Sequence, residues 1–426
     1  MAKSLVKKKS CPYQKTTLKN GLRVITEKIP SVRSITLGVW ADVGSRNETS
    51  EENGITHLIE HIVFKGTKKR SAKDIASSLE SIGGILNAFT SREQTCYIAR
   101  ILDEHLEEAV DVLSDITCNA TLTPVNIQRE KKVVCEEIKE TKETPAEHIH
   151  DIFATTFWGS HPLGQPILGQ MDNIIQVPRS KIVSYIKQNY KTASIVIAAS
   201  GSVSHRKLVD LVKKKFHFPD GIAAKYQKAA RTVNRNIIFK SNKNKQVHLC
   251  LGYPGIEYAS KEKMTALVLS SYLGGGMSSI LFQKIREEKG LAYTVYTYLD
   301  FYRDAGIFGA YLATDKNNLK QSVKIVLEEL QKIKKKRLSK DKLDKVKAQL
   351  KGNLTLGMES TSNRMNRLAR YELMMGSYYS LKQTLVAIDR VTPADVLQLA
   401  NRIFDKSQIA ISVLGPAEKN VLDNVL

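Results

Sequence analysis

No apolar stretch in this chain approaches the length of a membrane span, which excludes a transmembrane helix. Cysteine is scarce: Cys11, Cys96, Cys118, Cys135 and Cys250 lie scattered, with no C-x-x-C pair. That scatter argues against a disulfide framework and against a cysteine metal site, and it fits a reducing compartment, so a cytoplasmic location is expected. The start, Met1 to Lys9, is basic but has no apolar core behind it, unlike a secretory signal, and it lacks the arginines of a mitochondrial transit sequence. Acidic residues are outnumbered, 43 Asp and Glu against 65 Lys and Arg, for a net charge of +22. Such an excess points to nucleic acid or to acidic peptides. Yet no nucleic-acid motif accompanies it, and no aromatics interleave the densest cluster, Lys332 to Lys351. That cluster reads as an exposed helical hairpin arm with Lys334-Lys335-Lys336-Arg337 at its turn. A solvated basic face is the simpler account, and neither nucleic acid nor a membrane is expected as a partner.

What is present begins with His57-Leu58-Ile59-Glu60-His61, an H-x-x-E-H sequence inside the apolar run Ile55 to Phe64. On a helix, residues three and four apart share a face, so His57, Glu60 and His61 would project together. Two imidazoles one turn apart can hold Zn²⁺, and a carboxylate beside them can act as general base toward water. The order is the reverse, inverzincin form of H-E-x-x-H. Asn53-Gly54 and Thr56 supply a turn and a helix start, and Gly66 closes the segment. The apolar residues Ile55, Leu58, Ile59, Ile62 and Val63 place the polar trio in partly buried surroundings, where a metal would satisfy it.

A zinc site with two histidines needs a third protein ligand. The stretch Ile127 to Ile138 reads as a helix with Ile127, Glu130, Val134, Glu137 and Ile138 on one side. Carboxylates are seldom buried without a partner. Glu137 is therefore the ligand candidate, and Glu130, two turns earlier, is a candidate for orienting a ligating imidazole. In a region this rich in Glu and Lys the spacing also arises by chance, and pattern alone does not decide between the two readings.

A chain of 426 residues with 42% hydrophobic and 25% charged residues suggests two or more packed domains. Its organisation looks like a diverged duplication. Val177-Pro178 through Gly201 reads as a helix and then an apolar strand, and Val391-Thr392-Pro393 through Gly415 repeats it at the same spacing. Tyr97-Ile98-Ala99 leads into a helix with Leu106, Val110 and Val112; Tyr311-Leu312-Ala313 leads into one with Leu319, Val323 and Ile325. The expected fold is α+β: two homologous α/β-sandwich domains, each an antiparallel-rich sheet packed with helices. The domains are placed at 1–217, carrying the H-x-x-E-H, and 237–426, with 218–236 as a linker.

The run Asn53 to Thr67 resembles the active-site signature of the pitrilysin, insulysin and mitochondrial processing peptidase family. The resemblance continues in Arg129 to Ile138, in Gly83 to Thr90, and in Leu281 to Tyr293, and spans nearly the whole chain. It implies a zinc metalloendopeptidase of the short, single-chain bacterial type. It assigns His57, His61 and Glu137 as ligands of Zn²⁺, Glu60 as the base toward water, and Glu130 as a second functional carboxylate. It also implies that Asn87 and Ala88 lie on a strand that pairs with a peptide substrate, and that Arg286 and Tyr293 bind the scissile region and stabilise the oxyanion. Because the chain has only two homologous halves, the resemblance implies a chamber closed by dimerisation, with Arg286 and Tyr293 serving the partner's zinc. A homodimer is expected; the alternatives are a heterodimer with an inactive homologue, as in a processing peptidase, and a non-catalytic assembly subunit of the same fold.

Other features read more plainly. Gly274-Gly275-Gly276 precedes the Arg286 segment without the Lys-Ser/Thr of a phosphate loop, so close packing or a flexible connection is expected. His148 and His150 are expected to be solvated or capping, and His161 structural. Tyr97 is expected either in the core or along the cleft. His105, His205, His217 and His248 show no partner in the sequence.

Overall fold

The computed structural model describes residues 13–221, 225–230, 232–242, 245–423 and 425. The basic N-terminus, Cys11 and part of the expected linker lie outside them. Among the described residues no helix is long and apolar enough to cross a membrane.

Two sheets carry the fold. The first has the order β1-β2-β6-β3-β5-β4, built from β1 (Tyr13–Thr17), β2 (Arg23–Lys28), β3 (Ser34–Ala41), β4 (Ile85–Thr90), β5 (Thr95–Leu102) and β6 (Ile195–Gly201). The second has the order β7-β11-β8-β10-β9, from β7 (Asn236–Lys240), β8 (Val247–Pro254), β9 (Ala292–Phe301), β10 (Gly306–Thr314) and β11 (Ala410–Leu414). Each sheet has a single parallel pair, β2 with β6 and β7 with β11, and is otherwise antiparallel. Strand for strand the second sheet repeats the first without β1. The architecture is the duplicated α+β arrangement expected from the sequence.

Strand alternation explains how each sheet buries both faces. In β3, Ile35, Leu37 and Val39 enter a core with the helices of the first half, while Trp40 joins a second core on the opposite face. In β8, Leu249, Leu251 and Tyr253 face helices of the second half, while Cys250 faces the other way.

Four helices position the metal-site candidates and join the halves: α1 (Ile55–Val63), α2 (Pro124–Glu143), α3 (Pro145–Trp158) and α4 (Thr361–Met375). The second face of each sheet is covered by a helix from the other half. Helix α3 follows the first half's α2 but lies across β7, β8 and β11, burying Ile149, Phe153, Phe157 and Trp158 there. Helix α4, from the second half, lies across β2, β3 and β6 and buries Met365, Leu368, Ala369 and Leu373. A glycine makes room in each case. A Cβ on Gly38 of β3 would stand 2.7 Å from Met365 Sδ, and one on Gly252 of β8 would stand 2.7 Å from Phe153 Cζ. Each large side chain so buried contributes about 1.5–3 kcal/mol.

Polar contacts add to the exchange. Glu372 of α4 pairs with Lys15 at 2.7 Å and Arg23 at 3.3 Å, and Arg364 pairs with Glu27 at 2.7 Å. Between the halves, buried Arg46, which also pairs with Glu93 of its own half at 2.6 Å, meets Asp304 at 2.7 Å, and Arg303 pairs with Asp42.

Candidate metal centre

Helix α1 is fixed from both ends. At its start, Gly54 has φ +97°, and a Cβ there would stand 2.7 Å from the backbone of Gly169, so glycine is required. The buried carboxylate of Glu48 accepts from the amides of Gly54 and Thr56, each at 2.8 Å, and from Asn53 Nδ2 at 3.1 Å. It thereby meets amides that a helix start leaves unpaired. Burial nevertheless pushes the Glu48 carboxyl up to about 7 against these hydrogen bonds. Thr56 also bonds the Tyr185 hydroxyl at 2.9 Å. Beyond the other end of α1, Asn126 of α2 donates to the carbonyl of Lys65 at 2.7 Å. Ile55, Leu58, Ile59 and Ile62 enter the core, which leaves His57, Glu60 and His61 on the remaining face.

Helix α2 starts at an N-cap, Thr123, which accepts from the amide of Asn126. Ile127, Val134 and Ile138 anchor it beside α1. This packing brings Glu137 Oε2 to 3.8 Å from His57 Nε2 and 3.5 Å from His61 Nε2. One donor atom from each of the three lies within 4.8 Å of the others. Ligands at the corners of a zinc tetrahedron, with bonds of about 2.0–2.2 Å, stand about 3.3–3.5 Å apart, so the set fits zinc with small side-chain adjustments. Burial, and then the neighbouring His61, hold His57 down to about 3, so its imidazole is neutral and able to ligate. Its Nδ1 is buried without a hydrogen-bond partner. Glu136, by contrast, is exposed and pairs with Lys139.

Glu130 is almost wholly buried, its side chain 1% exposed, with Oε2 3.6 Å from His61 Nδ1 and 3.1 Å from Lys65 Nζ. His61 therefore turns Nε2 toward Glu137 and Nδ1 toward Glu130, the arrangement in which a carboxylate orients a metal-binding imidazole. Glu60 accepts from Thr90 Oγ1 at 2.5 Å. Burial raises its pKa, opposed by the Thr90 bond and by His61.

Thr90 ends β4, the free edge of the first sheet. A cavity of about 390 Å³ opens here, lined by His57, Glu60, Ala88, Phe89 and Thr90 among others. Asn87 is exposed, and its Oδ1 accepts from the Ala88 amide at 2.8 Å. That amide thus stands apart from the β5 ladder, on the side open to another strand.

Arg286 and Tyr293 are brought together, but not to this trio. Arg286 lies in a π-helical turn, Phe282–Glu287, donates to the Tyr293 carbonyl at 3.1 Å, and sits 4.4 Å over the Tyr293 ring. Tyr293 is 72% exposed at the start of the edge strand β9. Among the described residues, neither shares a hydrogen bond or ion pair with His57, Glu60, His61 or Glu137.

The remaining readings from sequence divide. His150 is not solvated: it is half-buried, bonds the Tyr296 hydroxyl at 3.2 Å, and stacks on Tyr311, because α3 carries it onto the second sheet. His205 bridges Thr16 and Thr26, and His248 bonds Tyr311, partners that sequence distance hid. His161 caps the turn at Leu163. Tyr97 is buried and bonded to Tyr190 at 3.0 Å. Gly274 lies buried against the backbone of Thr297. Glu48, Lys65 and Thr90 received no role from sequence. Thr90 sits two residues from Ala88, on the same face of β4, and could have been found from strand alternation; Glu48 carries no local signal, because it caps a helix from seven residues upstream.

Comparison with known proteins agrees along the chain. The insulinase (peptidase family M16) model matches residues 23–171, and the model of the peptidase M16 inactive domain matches residues 176–350. An uncharacterized zinc protease of Streptomyces coelicolor is 39% identical, over 95% of this chain and 89% of its own length. One of Bacillus subtilis is 38% identical, over 94% and 98%. Among solved structures, a protease from Helicobacter pylori superposes with a TM-score of 0.89 at 25% identity, covering 95% of this chain and 99% of its own.

Proposed function

Because this chain belongs to the insulinase family of peptidases, peptidase family M16, we propose that it is a zinc-dependent metalloendopeptidase acting on peptides or unfolded segments. The observation that carries the reading is the convergence of His57, His61 and Glu137 from two helices within 4.8 Å, with Glu60 on the same face of α1. His57, His61 and Glu137 would hold the metal, which when bound there would activate water and polarise the peptide carbonyl. Glu60 takes the proton from the attacking water and returns it to the leaving amine; its raised pKa suits both transfers. The hydroxyl of Thr90 holds the Glu60 carboxylate in place. Glu130 fixes the ring of His61, and Lys65 balances its charge.

The substrate adds as an extended strand to the free edge of β4, beside Asn87 and Ala88. Main-chain pairing of that kind reads backbone more than side chain, and it suits a broad range of unfolded peptides. The Arg286–Tyr293 pair faces solvent on the other half. This supports its use at the zinc site of a second copy, with the working enzyme a homodimer closed around its substrate.

A quenched-fluorescence peptide assay with zinc analysis tests the reading. The purified chain should bind one Zn²⁺ and cleave, and a chelator should abolish cleavage. Glu60→Gln should keep its zinc and lose about 10²–10⁴-fold in kcat/KM. Undiminished cleavage by that variant would remove Glu60 from the mechanism. A chain that binds zinc but cleaves only with a second, different subunit would instead be half of a heterodimer.

A further inference from the structure

Beyond Thr90 the chain turns from the metal site into a second, larger cavity. It has a volume of about 650 Å³, within the range of ordinary ligand sites. Ser91 and Arg92 line it immediately after β4 ends, and Ile167 lines both cavities, so the two are neighbours that share a wall. Its other wall comes from the second half: Lys263, the end of β9, and the face of α4 carrying Arg367 and Arg370.

The charges of this cavity do not balance. Four cations line it, Arg92, Lys263, Arg367 and Arg370, against two carboxylates, Glu93 and Asp300. Glu93 is already engaged by Arg46 at 2.6 Å and by the amide of Arg303 at 3.2 Å. Asp300 lies in the field of Arg92 and Arg370. Lys263 has no carboxylate partner among the described residues. Its ammonium rests 3.1 Å over the ring of Tyr258, with the rings of Phe301 and Tyr371 at 5.2 and 5.5 Å. Burial, together with Arg370 and Arg367, pushes it down to about 7. A half-buried ammonium held among rings beside two guanidiniums lacks the one group that would repay its desolvation, an anion.

We propose that this cavity is a subsite of the peptidase cleft that receives a carboxylate of the bound peptide, through Lys263 and Arg370. The subsite rests on the peptidase reading above and refines it: backbone pairing along β4 supplies breadth, and the basic cavity supplies a preference. It also gives part of the +22 net charge a role inside the cleft. The carboxylate is either an acidic side chain or the C-terminus of the peptide; both present the same group.

The test uses the full chain carrying Glu60→Gln, so that peptides bind without being cut. Three sets of otherwise identical, fluorescein-labelled peptides are compared by anisotropy at physiological salt: neutral with a C-terminal amide, neutral with a free C-terminus, and amidated with one Glu moved stepwise along the sequence. At least one acidic set should bind about tenfold more tightly than the neutral amide, the advantage expected of a charge-assisted contact. Which set does so identifies the source of the carboxylate. Adding Lys263→Met or Arg370→Gln should reduce the advantage to less than about threefold; Arg370 is exposed, so its replacement leaves the packing intact. Equal binding of all three sets, or an advantage that survives both substitutions, overturns the subsite. Cleavage of the neutral amide by the unsubstituted chain reports separately on the peptidase reading: cleavage without an acidic preference sinks the subsite alone, and no cleavage of any peptide sinks the enzyme.

Discussion

Replacing Glu130 by Gln tests whether the buried carboxylate behind His61 contributes to metal binding or merely fills space. The substitution keeps the shape and one acceptor oxygen but removes the charge. Two contacts change at once. His61 Nδ1, 3.6 Å from Glu130 Oε2, loses the anion that orients and polarises its ring. Lys65 Nζ, 3.1 Å from the same oxygen, loses its counter-ion and leaves an unbalanced positive charge near the metal. Both effects weaken zinc binding. Loss of a carboxylate that orients a ligating histidine costs about 10–100-fold in metal affinity, or about 1.4–2.7 kcal/mol. The Lys65 contribution is the smaller, because its side chain is 36% exposed and water screens it. Competition with a fluorescent chelator measures the affinity directly, and activity should return as zinc is raised. The double substitution Glu130→Gln with Lys65→Gln should recover a minor part of the loss. An unchanged zinc affinity in Glu130→Gln would show that His61 is oriented by its helix alone, and the reasoning from the 3.6 Å contact would fail.

If Arg286 and Tyr293 act on the partner's zinc, an equal mixture of Glu60→Gln and Arg286→Ala chains should regain about a quarter of wild-type activity, because half the dimers are mixed and each holds one intact site; no regain after exchange of subunits would place each site within one chain. Met365→Ala should lower stability by about 2–4 kcal/mol, read from the urea midpoint, since it empties the contact with Gly38 and Trp40. Glu48→Ala should destabilise the protein by leaving three donors unpaired, most strongly near pH 5. The sign follows from the raised pKa of about 7: the folded protein holds this proton more tightly than the unfolded chain, so wild type loses up to about 3 kcal/mol as pH rises from about 4.5 to 7 while the variant does not. A deficit that grew toward pH 8 would contradict that burial.

Much of the site was legible because its parts are local. The H-x-x-E-H needs only a helix to bring His57, Glu60 and His61 together, and α1 supplies it. Glu130 and Glu137 were legible for the same reason on α2, although their pairing with α1 required the family resemblance. The duplicated halves showed themselves through repeated spacing ending at Gly201 and Gly415, both with positive φ. What stayed hidden depends on contacts distant in sequence. His150 sits in a helix whose sequence neighbours belong to the first half and whose packing partners belong to the second. Glu48 reaches its amides through a turn that no short pattern encodes. The imbalance around Lys263 arises because two halves meet, and no window of one of them contains it.

The exchange of α3 and α4 between the halves has a consequence for how this protein is made. The last strand of the first sheet ends at Gly201, but the helix that covers its second face begins at Thr361. About 160 residues must be synthesised in between, roughly 8–30 s at ordinary rates of translation. During that interval Ile25, Trp40, Cys96 and Val196 form an uncovered apolar surface on a nascent chain. Neither half can therefore finish folding before the other exists, and a ribosome-bound intermediate of this protein is a natural client for a chaperone.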